Sequence, residues 1–160
     1  MTTRWLDEEE QAAWRAYMHA TRLLFAQLER ELQTAHGMPH GYYEILVHLS
    51  EAPDHRLRMS ELADRTLSSR SRLSHAVARL EAAGWVVRRE CPSDRRGALA
   101  ELTDEGMRAL AEAAPTHVEG VRTHVFDQLA PGQADQLRRI GEAMIAHLQK
   151  LFAGEEGACP

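Results

Sequence analysis

A mainly helical α+β fold carrying one two-stranded β-hairpin is predicted by three features of the sequence. Apolar residues recur at helical spacing over long stretches at both ends of the chain, two short helical runs follow one another in its middle, and "WVVRRECPSDRRGALAEL" behind them reads as strand, turn and strand. At 160 residues the chain fits one domain, large enough for an ordinary core without metal or disulfide staples.

The elements follow in order. Asp7 is placed to cap a first helix and Glu10, three residues on, to complete a capping box. Trp14, Tyr17, Met18, Thr21, Leu24, Leu28 and Leu32 then mark one face of a helix that stops near Gly37. Pro39 suits the first turn of a second helix, with Tyr42, Ile45, Leu46 and Leu49 inward, ending before "APDHR". "RLRM" is a brief extended piece, Ser60 is read as the cap of "ELADRT", and Ser68 or Ser69 as the cap of a longer helix closed by Gly84. "WVVRRE" has strand composition, "CPSDRRG" is a turn, and "ALAEL" resumes the strand. Thr103 starts a further helix, kinked at Pro115, whose apolar face is expected to run through Val118, Val121, Val125 and Leu129. The final helix carries Leu137, Ile140, Met144, Ile145, Leu148, Leu151 and Phe152 in a stripe near heptad spacing, which wants a partner helix.

The net charge of −5 is unevenly spread. Between His55 and Thr103 ten arginines face six carboxylates, a surplus of +4, so the rest of the chain carries −9. A basic middle between acidic flanks is the footprint of one module that meets a polyanion while the rest does not. Cys91 and Cys159 are far apart and in no metal-binding pattern, so free thiols are expected. Neither a signal peptide nor an apolar run of membrane-spanning length is present, and a cytoplasmic protein with no membrane partner is expected.

Two consecutive short helices followed by a hairpin make a winged helix-turn-helix, in which the second helix enters the DNA major groove. On that helix Leu73, Ala76, Val77 and Leu80 repeat at i, i+3, i+4 and i+7 and pack inward. Ser71, His75 and Ala78 therefore point away from the core, flanked by Arg72, Ser74 and Arg79, a set of groove-facing donors and small residues.

The run "SRLSHAVARLEAAGWVVRRECPSDRRGALAELTDEG" resembles the signature of the MarR family of bacterial transcriptional regulators. Asp94, Arg96, Leu102, Thr103 and Gly106 fall on the family's wing pattern without a gap. The resemblance implies a homodimer on a pseudo-palindromic double-stranded DNA operator. Residues 7–52 and 104–153 would serve dimerisation and support, 55–103 would be the winged lobe, and 154–160 a flexible tail. It implies DNA contacts from Ser69, Arg70, Ser71, Arg72, Ser74, His75 and Arg79 on the recognition helix. From the wing, Arg96 with Arg95 would enter the minor groove, and Asp94 would hold the loop by pairing with an arginine. His75 stands where the family often has an arginine.

The resemblance further implies repression relieved by a small aromatic or phenolic effector, with Trp14, Tyr17, His40 and Tyr43 as lining. No cofactor and no metal are expected, and the family's peroxide-sensing cysteine near the first helix is absent. Two other readings compete with this one. One is a winged-helix scaffold that binds ligands or proteins without DNA; the other is a zinc sensor using His36, His40, His117 and His124. An enzyme is not expected, since no Gly-rich phosphate loop, nucleophile elbow or His-Glu-x-x-His motif occurs.

Overall fold

The computed structural model describes residues 2–91 and 94–155, with the side chains of 91, 94–96 and 152–155 excepted. Helix α1, Glu8–His36, begins at the expected capping box: Asp7 Oδ1 accepts from the Glu10 amide at 2.8 Å and Glu10 Oε2 from the Asp7 amide at 3.0 Å. Gly37 ends it with φ 60, and the Met38 amide reaches back to the Leu32 carbonyl, so that Met38 packs into the core beside Leu32. Helix α2, His40–Glu51, starts one residue after Pro39, the N-cap, and buries Tyr43, Ile45, Leu46 and Leu49.

Strand β1, Arg56–Arg58, leads directly into the seven-residue helix α3, Met59–Arg65. Ser60 is not its cap: Arg58 holds that position with extended backbone and no side-chain bond, because β1 already delivers the chain in the geometry a cap must impose. Helix α4, Arg70–Ala82, is capped by Ser69, whose Oγ accepts from the Arg72 amide at 3.2 Å. Leu73, Val77 and Leu80 sit in the core with Leu62, Ala63, Leu57 and Val86, as the spacing predicts. Gly84, φ 77, turns the chain into β2, Val86–Cys91.

Strand β3, Asp94–Leu102, pairs antiparallel with both others in the order β1-β3-β2. The strand is longer than the sequence suggests. Asp94 to Gly97, read as turn, belong to β3, and a bulge at Glu90/Cys91 shifts the register so that Cys91 pairs with Asp94. Bulges accept Asp and Gly in positions where a regular ladder would not, which hides them from a composition reading.

Helix α5, Asp104–His124, continues through Pro115, which is exposed like Ala111 four residues earlier. It ends sooner than expected: a short 3-10 turn, Phe126–Gln128, takes the place of the last apolar repeat. Helix α6, Gln133–Glu155, extends into the expected tail, and residues 156–160 lie outside the described ones. The chain divides into two compact units, Met1–Gly120 and Val121–Pro160. The first holds the core; in the second, Leu137, Ile140, Met144, Ile145, Leu148 and Leu151 of α6 are all exposed. No described helix is long and apolar enough to cross a membrane.

Candidate nucleic-acid interface

Because α4 buries Leu73, Val77 and Leu80, its opposite face is committed to solvent. Ser71, Arg72, His75 and Arg79 are exposed there, Ser69 and Arg70 are exposed at the helix start, and Ser74 is half-buried at the edge. The recognition-helix residues singled out from the sequence thus share one surface, with the cationic groups weighted toward the helix N-terminus, where the dipole adds positive potential. A groove runs between α4, the start of α3 and the hairpin, lined among others by Arg58, Arg70, Ser74, Arg88 and Gly97. The side chains of Asp94, Arg95 and Arg96 lie outside the described residues; their backbone is part of β3, beyond the bulge.

Sequence reasoning missed Arg88. Its guanidinium turns back to the body: Nη2 donates to the Ser74 carbonyl at 2.6 Å and Nε lies 3.1 Å from Glu81 Oε2. The Arg88 amide donates to Glu81 Oε1 at 3.0 Å. The signal was present, since Arg88 is two residues from the buried Val86 and strand side chains two apart share a face. At the far end of the hairpin Thr103 joins wing and helix: its Oγ1 donates to the Gly84 carbonyl at 2.7 Å and accepts from the Gly106 amide at 2.9 Å.

The candidate effector residues fall into two groups. His40 and Tyr43, ring centroids 6.4 Å apart, join Phe25 and His117 in one cluster, with Tyr43 and His117 at 4.5 Å and His40 and His117 at 5.4 Å. Trp14 and Tyr17 pair with each other at 6.3 Å. Tyr17 precedes Phe25 by eight residues, about 12 Å along α1, so the two groups do not merge along that helix. His36 bonds Thr116 Oγ1 at 2.8 Å, and no set of three or more potential metal ligands occurs among the described residues. The four histidines considered for zinc therefore gain no support as a site.

Burial raises the Tyr43 pKa. Burial, and then the neighbouring His40, lower that of His117, whose Nδ1 is buried without a hydrogen-bond partner. A base with a depressed folded pKa takes up its proton in the unfolded chain first, so stability should fall as pH drops through the ordinary histidine range near about 6.5 and level off below the folded value. His117→Asn is expected to flatten this acid limb. Urea midpoints of both chains at neutral pH and at mildly acidic pH measure it, and an identical shift in the two would refute the linkage.

A MarR family model matches residues 36–97, spanning α2 to the hairpin. The chain is similar to Sco3205, a MarR family transcriptional regulator from Streptomyces coelicolor solved in complex with DNA, at 53% identity over 91% of this chain and 92% of that one, with a TM-score of 0.87. It is similar to AbsC, another MarR family regulator from Streptomyces coelicolor, at 46% identity over 92% and 99% of the two chains, TM-score 0.86. The transcriptional repressor MprA of Escherichia coli K12 is 28% identical over 137 residues, 86% of this chain and 77% of that protein. With the capped recognition helix, the bulged hairpin and the Thr103 joint all in place, the chain belongs to the MarR family of winged helix-turn-helix, DNA-binding transcriptional regulators, which are not enzymes.

Proposed function

We propose that this protein is a cytoplasmic homodimeric repressor that grips a pseudo-palindromic duplex with one winged lobe on each half-site. The observation that carries the reading is the exposed face of α4, Ser69 to Arg79, set beside an arginine-bearing hairpin in a chain 53% identical to a regulator solved with DNA. Ser74 and His75 are assigned to base edges, and Ser69, Arg70, Ser71, Arg72 and Arg79 to phosphates or flanking bases. Arg95 and Arg96 are assigned to the minor groove, where guanidinium suits the enhanced negative potential of narrow tracts, and Asp94 to holding the loop. Residues 55–103 form the reading lobe, while 7–52 and 104–153 form the dimer body.

A small aromatic or phenolic acid is proposed as the relieving effector. The support is the cluster of Phe25, His40, Tyr43 and His117, which offers ring faces together with the unpartnered His117 Nδ1. Trp14 and Tyr17 are kept as lining only through the dimer partner, since their own pair stands apart. The scaffold alternative has weaker support, because a surface with no polyanion to meet gains nothing from a concentration of exposed arginines on α4.

Selecting bound duplexes from a random pool tests DNA reading and two-fold symmetry together. On the recovered site, Arg96→Ala is expected to weaken binding by about 1–2 kcal/mol, roughly five- to thirtyfold, with the dimer intact by sedimentation. Unchanged affinity in a gel-shift titration at moderate salt would remove Arg96 from the interface.

A further inference from the structure

We infer that Arg88 is a positioning residue that locks the wing to the recognition helix, so that hairpin and helix meet DNA in one register. The inference rests on the reading of α4 and the hairpin as the DNA-contacting pair. Ser74 and Glu81, the two residues of α4 that Arg88 engages, are seven residues apart on one helix face, and the Glu81 side chain leans back toward the helix N-terminus so that one guanidinium reaches both. A strand residue tied in this way to two turns of one helix face resists sliding along that helix. Both ties come from one residue: the backbone amide and Nε engage the Glu81 carboxylate, and Nη2 engages the Ser74 carbonyl.

The core does not need this clasp. β2 is held by its ladder to β3 and by the buried Val86, and α4 by Leu73, Val77 and Leu80. What the core leaves open is the orientation of the outer part of β2, near the bulge at Glu90/Cys91. Arg88 is the last partly buried residue of β2 before that bulge. Its Nε is shut off from water and lies 3.1 Å from Glu81 Oε2 as an ion pair without a hydrogen bond. The Glu81 side chain stays 34% exposed, so the firmer ties are those of the Arg88 amide and Nη2. Ser74, whose carbonyl it holds, borders His75 on the reading face, so the tether fixes the helix where bases are met.

Arg88 also lines the groove shared with Arg58 and Arg70, so the competing role is direct contact with a DNA phosphate. Two substitutions separate the roles. Glu81→Ala removes an acid that no phosphate would welcome and preserves helix propensity; Arg88→Lys retains a cation able to reach a phosphate but not the two-point clasp. A tether predicts that both variants bind the selected duplex roughly five- to tenfold more weakly than the parent, while binding to random duplex of equal length is unchanged or tighter for Glu81→Ala. A phosphate contact predicts instead that Glu81→Ala binds the selected duplex as well or better, and that Arg88→Lys is largely tolerated; either result overturns the tether.

Hydrogen exchange without DNA provides a readout independent of the DNA reading. In Glu81→Ala the amides of residues 86–90 should exchange faster while those of 28–36 do not, and unchanged exchange in β2 overturns the tether. A parent chain that binds no duplex would sink the DNA reading, and the exchange result would still decide whether Arg88 clasps the hairpin.

Discussion

Gly106→Ala is expected to lose about 3 kcal/mol of stability, a fall of roughly 6–12 °C in Tm, despite adding only a methyl group. A Cβ built at Gly106 stands 2.1 Å from the Trp85 carbonyl oxygen, 2.7 Å from Leu102 Cδ1 and 2.9 Å from the Trp85 carbonyl carbon. Two of these atoms are backbone, so no rotamer change relieves the clash. The Trp85 carbonyl cannot withdraw, because it accepts from the Thr103 amide at 3.0 Å. Thr103 is itself tied to Gly84 and to the Gly106 amide. The first turn of α5 is therefore pressed onto the base of the wing, and only a residue without a side chain permits that approach. Gly41→Ala is the matched control: the position lies in α2, a Cβ there meets nothing within 4 Å, and a gain of about 0.5–1 kcal/mol is expected. Thermal unfolding of both variants decides. Equal effects would mean that the Gly106 contact relaxes at no cost.

That joint also shows what is legible in a sequence. Caps and turns announce themselves locally: the Asp7–Glu10 box, Ser69 before α4 and Thr103 before α5 each sit within three residues of the amides they satisfy. The outward face of α4 follows from the period of its buried leucines and valine, which leaves Ser71, His75 and Arg79 exposed. The failures share a different physics. Ser60 has a cap's composition, but β1 abuts α3 directly and takes the role through backbone alone. The extra length of β3 comes from a bulge, which propensity scales do not encode.

Nothing local to Arg88 announces its role, which comes from Ser74 and Glu81 beside it. Its contacts span 7 and 14 residues of sequence and depend on how strand packs on helix. The effector residues divide for the same reason. Trp14 and Tyr17 share the helical stripe of α1 with Leu28 and Leu32, yet only the latter two are buried in this chain. His117 is a candidate metal ligand in the sequence and lies beside Tyr43 as a half-buried imidazole whose Nδ1 is buried without a hydrogen-bond partner, a placement set by α5 packing across α2.

If the proposed dimer pairs through α6, the double substitution Ile140→Lys, Leu148→Lys is expected to leave a folded monomer and to abolish high-affinity operator binding. Both residues lie on α6, exposed by 59% and 44% in the single chain, and with Met144 they form an i, i+4, i+8 row. An amphipathic helix with its apolar row in water is stable only when another surface covers it, and a two-fold axis would bring the same row of a second copy against it. Burying a side chain of this size is worth about 1.5–3 kcal/mol, and symmetry counts each one twice. Four lost burials, with lysines facing across the axis, should raise the dimer dissociation constant by about 1,000-fold or more. Neither residue lines the groove formed by Phe126, Ala134, Leu137, Gly141 and Ile145, so the unit that α6 belongs to keeps its own contacts. Sedimentation equilibrium at micromolar concentration, with helix content followed by circular dichroism, measures the change. A variant that sediments as a dimer would place the seam elsewhere, whereas a folded monomer that holds a half-site only weakly would tie operator affinity to the pairing of two lobes.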